Sequence, residues 1–447
     1  MSSKRIFPKE FVWGTATASY QIEGAHNEDG RTPSIWDVFS HTPGKVYEGH
    51  TGDIACDHYH RYKEDVKLLA ELGIKSYRFS VSWTRIFPER GKLNSQGIEF
   101  YRNLIQELRR YHIEPVVTIY HWDLPQYLQE QGGWTVRSTV DAYVEYATAL
   151  FQELGDLVPN WITHNEPWCA SFLSYGIGEH APGHQDWYEA TAAAHHLLLS
   201  HGQAVEVYRT LGLPGKIGIT LNLTPADPFS DAAQDVAAAR RLDGFSNRWF
   251  LDPIFRGVYP QDMMELFESY LGHELNFVQA DDLRIISVSN DFLGINFYTR
   301  HVAKWANDSL LQVDLIASGL PVTEMGWEIA PDALYKLLSR IKQEYTGLPL
   351  YITENGAAFA DSLDQGQIDD QQRIDYLREH FIAAHRFIVE GGNLQGYYVW
   401  SFLDNFEWAF GYSKRFGIVY VDYPTQERVP KASAKWYQRV ASENQIV

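Results

Sequence analysis

Short segments rich in β-branched and aromatic residues alternate with longer amphipathic segments along the whole chain, and this alternation constrains the fold most strongly. The candidate strands are Phe11–Thr15, Ser76–Ser80, Pro115–Tyr120, Trp161–Asn165, Lys216–Leu221, Phe292–Asn296, Leu350–Glu354 and Tyr397–Ser401. Between them lie segments with helical period, which include Tyr62–Leu72, Val140–Leu154 and Asp332–Tyr345. Eight strands, each followed by a helix, fit a closed parallel (β/α)8 barrel better than an open doubly wound sheet, the structural alternative.

We expect one domain over residues 1–447. The length would fit two or three average domains, but α/β barrels often exceed that average. Since no Pro-rich or Gly/Ser-rich linker divides the sequence, the residues beyond a minimal barrel should lie in long connections. The candidate connections are Asn27–Gly52, Leu223–Ala239 and Trp305–Pro321.

Composition excludes several classes of protein. The net charge of −19 argues against nucleic acid or an anionic membrane as a partner. The two cysteines, Cys56 and Cys169, are too few for a disulfide framework or a four-cysteine zinc site. The sequence contains neither the apolar stretch of a secretion signal nor a run of about 18 apolar residues, so we expect a cytoplasmic protein.

Polar side chains collect at the predicted carboxyl ends of the strands, where the active sites of (β/α)8 barrels lie. They are Arg78, His121 with Trp122, Asn165 with Glu166, Asn222, Asn296 with Tyr298, Glu354 with Asn355, and Trp400. Cleavage of a glycosidic bond needs two opposed carboxyl groups, one to protonate the leaving oxygen and one to attack or stabilise the anomeric carbon. One such glutamate alone would be an ordinary solvated acid, but Glu166 and Glu354 together favour catalysis. Gly356 is expected to allow a tight turn after the seventh strand.

Six motifs, in order along nearly the whole chain, resemble the signatures of family 1 glycoside hydrolases, the β-glucosidase family. They are the segments 11–24 (FVWGTATASYQIEG), 77–83 (YRFSVSW), 121–125 (HWDLP), 163–167 (THNEP), 351–356 (YITENG) and 400–408 (WSFLDNFEW). The resemblance implies a retaining β-glucosidase that releases terminal β-linked glucose from cellobiose, other oligosaccharides or aryl glycosides. Galactose or fucose would be alternative sugars.

The resemblance also implies roles for individual residues. Glu354 resembles the nucleophile, supported by Arg78 and Tyr298, and Glu166 resembles the general acid/base. The residues that resemble the sugar-binding set are Gln21, His121, Trp122, Asn165, Asn296, Tyr298, Trp400, Glu407, Trp408 and Phe416. Three residues, Trp168, His180 and Trp327, are candidates for the aglycone side, although ordinary loop packing explains them equally well.

Three rival functions remain open. In the branch of the family that cleaves 6-phosphorylated glycosides, a small hydroxyl residue tends to stand where this chain has Glu407, with a lysine and a tyrosine nearby. Here the carboxylate of Glu407 would repel phosphate, and Lys414 is accompanied by Phe416 instead of a tyrosine. A catalytically silent sugar-binding barrel is disfavoured because both glutamates are present, and a transglycosylase would use the same covalent intermediate.

No cofactor or metal is expected. The pair in His58-Tyr59-His60 precedes a helix, where positions i and i+2 face different ways. Cys169 adjoins the Glu166 motif and is interpreted as a small packing residue. The expected partner is a small oligosaccharide or aryl glycoside, and the sequence defines no oligomeric state.

Overall fold

The computed structural model describes residues 4–447 and contains a closed barrel of eight parallel strands. The strands are β1 (Val12–Ala16), β2 (Ser76–Ser80), β3 (Glu114–Tyr120), β4 (Asn160–Asn165), β5 (Lys216–Asn222), β6 (Phe292–Asn296), β7 (Leu350–Asn355) and β8 (Leu394–Trp400). Each strand pairs with its neighbours in sequence, and β8 closes the barrel against β1, with Ala16 opposite Trp400. The predicted (β/α)8 barrel is confirmed over the open sheet.

Helices surround the barrel and cover its strands. The long ones are His58–Glu71, Ser95–Arg110, Ser138–Leu154, Trp187–Thr210, Pro331–Glu344, Gln371–Val389 and Ala432–Glu443. Four more, Ala233–Asp243, Trp249–Arg256, Gln261–Leu271 and Asp282–Ile286, lie between β5 and β6. Shorter helical segments are Ser19–Ile22, Ile35–His41, Tyr47–Gly49, Trp83–Ile86, Gln126–Gln129, Gly133–Thr135, Cys169–Ile177, Gly244–Arg248 and Trp408–Ser413.

The helix Ser95–Arg110 illustrates why these segments are helical. Its buried residues include Ile98, Tyr101, Ile105 and Leu108, which recur every three or four positions and so form one apolar face. The Asn94 side chain accepts a hydrogen bond from Gln96 N and satisfies one free donor of the first turn. Periodicity and capping therefore agree on where the helix lies.

All three predicted long connections contain secondary structure, and the first holds the helices Ile35–His41 and Tyr47–Gly49. The segments Ala226–Pro228 and Val313–Leu315 pair with His301–Trp305 in a three-stranded sheet outside the barrel. A second small sheet pairs Val419–Asp422 with Glu427–Pro430. The predicted last strand starts three residues late, because Gln395 and Gly396 have low strand propensity; Leu394 and Gly396 pair with neighbouring strands of the barrel.

Buried apolar side chains from the N-terminal segment to the last helix belong to one continuous core, from Phe7 to Val440. Buried polar side chains concentrate at the carboxyl ends of the strands, where Arg78, Asn165, Asn296 and Glu354 are all at most 3% exposed. Within residues 4–447, no helix combines the length and the apolar character that crossing a membrane requires.

Candidate active site

A cavity of about 340 Å³ opens at the carboxyl ends of the strands. Its walls bring together most of the predicted site residues, which are His121, Trp122, Glu166, Trp168, His180, Asn296, Tyr298, Trp327, Glu354, Trp400, Glu407, Trp408 and Phe416. Three predicted residues, Gln21, Arg78 and Asn165, are fully buried and stand behind this wall. The aromatic lining and the convergent carboxyl groups are features expected of a small-molecule site.

Glu354 lies near the end of β7 and is bound by a cation and a phenol. Its Oε1 accepts a hydrogen bond from Arg78 Nη1 at 2.7 Å, and its Oε2 accepts one from the Tyr298 hydroxyl at 2.7 Å. Burial raises the pKa of Glu354, whereas the Arg78 charge and the Tyr298 hydrogen bond lower it. The guanidinium is itself buried, so its positive charge acts on the carboxylate with little screening by water.

Glu166 follows β4 directly and has different partners. Its Oε1 accepts a hydrogen bond from Asn296 Nδ2 at 2.6 Å, and its Oε2 accepts one from Cys169 Sγ at 3.1 Å. Burial, and then the negative charge of Glu354, raise the pKa of Glu166 to about 8. Since Arg78 binds Glu354, a single proton shared by the two carboxyl groups resides on Glu166.

Asn296, at the end of β6, forms hydrogen bonds to residues of both β4 and β7 and to Glu166. Besides Glu166, its Nδ2 contacts Asn165 Oδ1 at 3.0 Å, and its Oδ1 accepts a hydrogen bond from Thr353 Oγ1 at 2.8 Å. The Asn296 amide also lowers the pKa of Glu354. Asn296 therefore links Glu166 to Thr353, the residue that precedes Glu354 on β7.

Three residues of the cavity wall have left-handed backbone conformations: Trp122 (φ 81°), Glu166 (φ 49°) and Trp408 (φ 48°). Such conformations are costly for residues other than glycine and persist only where the surroundings enforce them. Here the Trp122 indole nitrogen donates to Asn165 O at 2.9 Å, and the Trp408 ring stacks on Tyr20 at 6.2 Å. Strained backbone thus helps to aim side chains into the cavity.

The side chains of His121 and Glu407 complete one side of the cavity. Asn165 Nδ2 donates to His121 Nε2 at 3.0 Å, so the His121 hydrogen resides on Nδ1, which has no partner among residues 4–447. Burial raises the pKa of Glu407 to about 8, helped by the charges of Glu354 and Glu166. Gln21 stands behind Glu407 and donates to Phe406 O at 2.8 Å, which helps to position that loop.

A buried ion-pair network fixes the loop that carries Glu407 and Trp408. Asp404 Oδ1 accepts hydrogen bonds from Lys431 Nζ at 2.7 Å and from Gly417 N at 2.9 Å, and Asp404 Oδ2 accepts one from Arg415. Asp404 and Lys431 are both fully buried. The loop is therefore held in place before any ligand arrives.

The expected reason for Gly356 is wrong. Its backbone is not in the left-handed region that a glycine turn uses. Instead, Trp400 O lies 1.7 Å from where a Cβ of residue 356 would stand, so the end of β8 approaches too closely for a side chain. Glycine is required here because of a close packing contact.

Sequence reasoning also missed a contact of Cys169, whose thiol donates a hydrogen bond to Glu166 Oε2. Its position three residues after a candidate catalytic glutamate, at the start of a helix, was the available signal. Other cavity residues that were missed are Leu173, Glu179, Thr224, Ser246, Thr299, His301, Met325 and Phe410. They come from connections whose path the strand pattern does not define.

The two histidines of the segment His58-Tyr59-His60 have separate partners. His58 contacts Asp65, whereas His60 contacts Asp57 and Glu28.

The fold and this site define a class: a (β/α)8 barrel with two neighbouring carboxyl groups in an aromatic pocket, as in enzymes that cleave glycosides. The model of glycosyl hydrolase family 1 matches residues 3–446, and the chain belongs to this family. It is 49% identical to "Beta-glucosidase A" of Acetivibrio thermocellus, with 99% of both chains covered.

Solved structures agree in fold. The GH1 β-glucosidase of Exiguobacterium antarcticum has a TM-score of 0.97 at 53% identity and covers 98% of this chain and 99% of its own. The Thermotoga maritima β-glucosidase in complex with deoxynojirimycin has a TM-score of 0.95 at 49% identity, with 98% of this chain and 99% of that chain covered.

Proposed function

We propose that the protein is a retaining β-glucosidase that removes terminal non-reducing β-D-glucosyl residues from cellobiose, short oligosaccharides and aryl β-glucosides. The observation that carries this proposal is the pair of buried carboxyl groups with opposite partners. Glu354 has a cation and a phenol, and Glu166 has an amide and a thiol. A proton donor and an anion side by side are the requirement for double displacement.

In the first half-reaction, Glu354 attacks the anomeric carbon while Glu166 protonates the departing oxygen. Direct attack needs the two carboxyl groups close together, since an inverting enzyme needs room for a water between them. The hydrogen bonds of Asn296 to Glu166 and to Thr353, which precedes Glu354, support this proximity. Arg78 and Tyr298 hold the attacking carboxylate in position. The product is a covalent glucosyl ester on Glu354 and a free alcohol.

In the second half-reaction, Glu166 acts as the base. Once Glu354 is an ester it carries no charge, so the second largest cause of the raised pKa of Glu166 disappears. Its pKa falls, and its carboxylate takes a proton from the incoming water that attacks the ester's anomeric carbon. One carboxyl group thus serves as acid and then as base, and glucose leaves with its β configuration retained.

The hydroxyl groups of the sugar are assigned to the remaining polar side chains. His121 and Glu407 line the cavity, and Asn165 lies beside the acid/base. The Trp400 indole provides a face for sugar C–H groups. A cavity of about 340 Å³ suits one sugar ring, which favours removal of chain ends over internal cleavage.

The 6-phosphoglycosidase alternative is not favoured by the surroundings of Glu407. This acid is buried near two others, so a phosphate dianion would meet three carboxyl groups. Lys414, the nearby cation, donates to Glu324 O at 2.8 Å and is 3.9 Å from the Glu324 carboxylate.

The decisive experiment is an NMR time course with an aryl β-glucoside, which identifies the first anomer released. We expect β-glucose first, followed by slow mutarotation, and α-glucose as the first product would refute the double displacement. Parallel rates on β-glucoside, β-galactoside, β-fucoside and 6-phospho-β-glucoside measure the sugar preference. We expect the 6-phosphate to be the poorest substrate.

We also infer that the chain forms one catalytic domain in the cytoplasm. Pairing of β1 with β8, from opposite ends of the chain, supports the single domain. The two cysteines are buried free thiols, as is common in reducing compartments. Fractionation of cells that produce the protein, with activity assayed in each fraction, tests the location.

A further inference from the structure

One of the two buried thiols of the chain contacts the carboxyl group of Glu166. Cys169 Sγ lies 3.1 Å from Glu166 Oε2, and the residue is 8% exposed. Ala170 N donates to Glu166 O at 3.2 Å, so Glu166 begins a helical turn that carries Cys169. Residues at i and i+3 meet on such a turn, which aims the thiol at the carboxyl group.

The Cys169 thiol donates a single hydrogen bond, to Glu166, whereas the Asn296 amide nitrogen is shared between two acceptors. Both hydrogens of Asn296 Nδ2 are engaged, one by Glu166 Oε1 and one by Asn165 Oδ1. Glu166 forms no salt bridge with any residue between 4 and 447. The hydrogen bond to Oε2 therefore depends on Cys169 alone.

A thiol is a weak hydrogen-bond donor. A weak donor suits Glu166, because this carboxyl group must both give and take a proton. A strong donor at Oε2 would stabilise the carboxylate and hinder the acid step. An apolar side chain would leave a buried oxygen without a partner and disfavour the ionised base. We propose that Cys169 is a positioning residue that orients Glu166 Oε2 and balances its protonated and ionised forms. This inference rests on the acid/base role of Glu166 in the proposed function.

Other charged or titratable groups that face Glu166 stay unchanged when Cys169 is replaced. They are Arg78 on β2, His121 after β3, Tyr298 after β6, Glu354 on β7 and Glu407 after β8, with Glu179, His180 and His301 also in the cavity wall. Burial lowers the pKa of His121 and of His180, so both are neutral near pH 7. Burial also raises the pKa of the Cys169 thiol, which stays protonated.

The test compares kcat/KM as a function of pH for the wild type, Cys169→Ser and Cys169→Ala. The alkaline limb of this profile reports the acid/base group of the free enzyme. We expect the limb to move down by about half a pH unit in Cys169→Ser and up by about half a unit in Cys169→Ala. Cys169→Ser should also slow hydrolysis of cellobiose more than that of dinitrophenyl β-glucoside, whose leaving group needs no proton.

The matched control is Cys56→Ala, because Cys56 is also a buried thiol and donates to Asp404 O at 3.0 Å. It should leave the alkaline limb in place. If both Cys169 variants keep the wild-type limb and lose activity equally at every pH and on both substrates, the thiol only packs and the inference is overturned. Glu166→Ala tests the premise separately: equal losses of kcat/KM on cellobiose and on dinitrophenyl β-glucoside in this variant would remove Glu166 from the acid/base role, whatever Cys169 does.

Discussion

The carboxyl ends of β4 and β7 each hold a glutamate, and the comparison between them explains how one pocket performs two kinds of chemistry. Glu166 and Glu354 are 5% and 3% exposed, so burial penalises the charge of both. The end of β7 adds a guanidinium and a phenol to Glu354, whereas the end of β4 adds an amide and a thiol to Glu166. Equal burial with unequal partners places the proton on Glu166. In the proposed mechanism, the partners of the two acids, more than their burial, therefore decide which acid attacks and which one donates the proton.

Removing the β7 carboxyl group should have the largest effect. Glu354→Ala should lower kcat by roughly 10⁵-fold or more, because nothing else in the pocket can form the covalent ester. Added sodium azide should restore turnover by attacking the face that Glu354 used, and NMR should identify α-glucosyl azide. A β-azide from this variant would contradict direct attack by Glu354.

Removing the β4 carboxyl group should have an effect that depends on the leaving group. Glu166→Ala should lower kcat/KM for cellobiose by about 10³-fold, because the departing sugar alcohol needs a proton. The loss on dinitrophenyl β-glucoside should be about 10-fold, and azide should give the β-glucosyl azide from the covalent intermediate. Equal losses on both substrates would show that Glu166 is not the proton donor for the leaving group.

Replacing Arg78 with an apolar side chain should bring the pKa of Glu354 closer to that of Glu166. Arg78→Met should lower kcat/KM by about 10²-fold and move the acidic limb of the pH profile upward, because the pKa of Glu354 rises when its positive partner is lost. Arg31→Met is the matched control, since it removes another buried guanidinium, which binds Asp37 at 2.8 Å. The control should lose stability and keep the acidic limb, and a limb that moved equally in both variants would contradict the role of Arg78.

The smallest effects should appear in thermal stability, with opposite signs at the two ends. The unfolded chain ionises Glu166 near pH 4.3, and the folded chain does so near pH 8, so the folded state loses stability as pH rises between these values. Glu166→Gln should therefore raise Tm at pH 7.5 by about 3 °C and flatten its decline with pH. Glu354→Gln should lower Tm, because it leaves Arg78 without an anion. Calorimetry at pH 5 and pH 7.5 measures both, and the same sign for the two variants would contradict the comparison.

Much of this arrangement could be predicted from sequence. Strands β2 and β6 begin and end where the sequence pattern placed them. Strand β2 alternates polar residues with the aromatic residues Tyr77 and Phe79, and β6 is a short apolar run that ends at Asn296. The two glutamates, Arg78 and Tyr298 could be found because strand ends in a barrel converge.

Other features depend on distances that spacing along the chain does not contain. Asn296 was expected beside Tyr298. Its hydrogen bonds to Glu166 after β4 and to Thr353 on β7 arise only when β4, β6 and β7 curve together. The cavity residues Thr224, Ser246 and Met325 come from connections whose course is set by packing against the barrel. The reason for Gly356 was wrong because a turn is a local property, whereas the contact with Trp400 O joins two strands.

That contact has a consequence for anyone who diversifies the pocket. Because the Trp400 carbonyl occupies the space of a side chain at position 356, a substitution such as Gly356→Ala should push Trp400 away from the segment that carries Glu354. Variant libraries that change Trp400 should keep Gly356 constant, since a change at the end of either β7 or β8 requires a compensating change at the other.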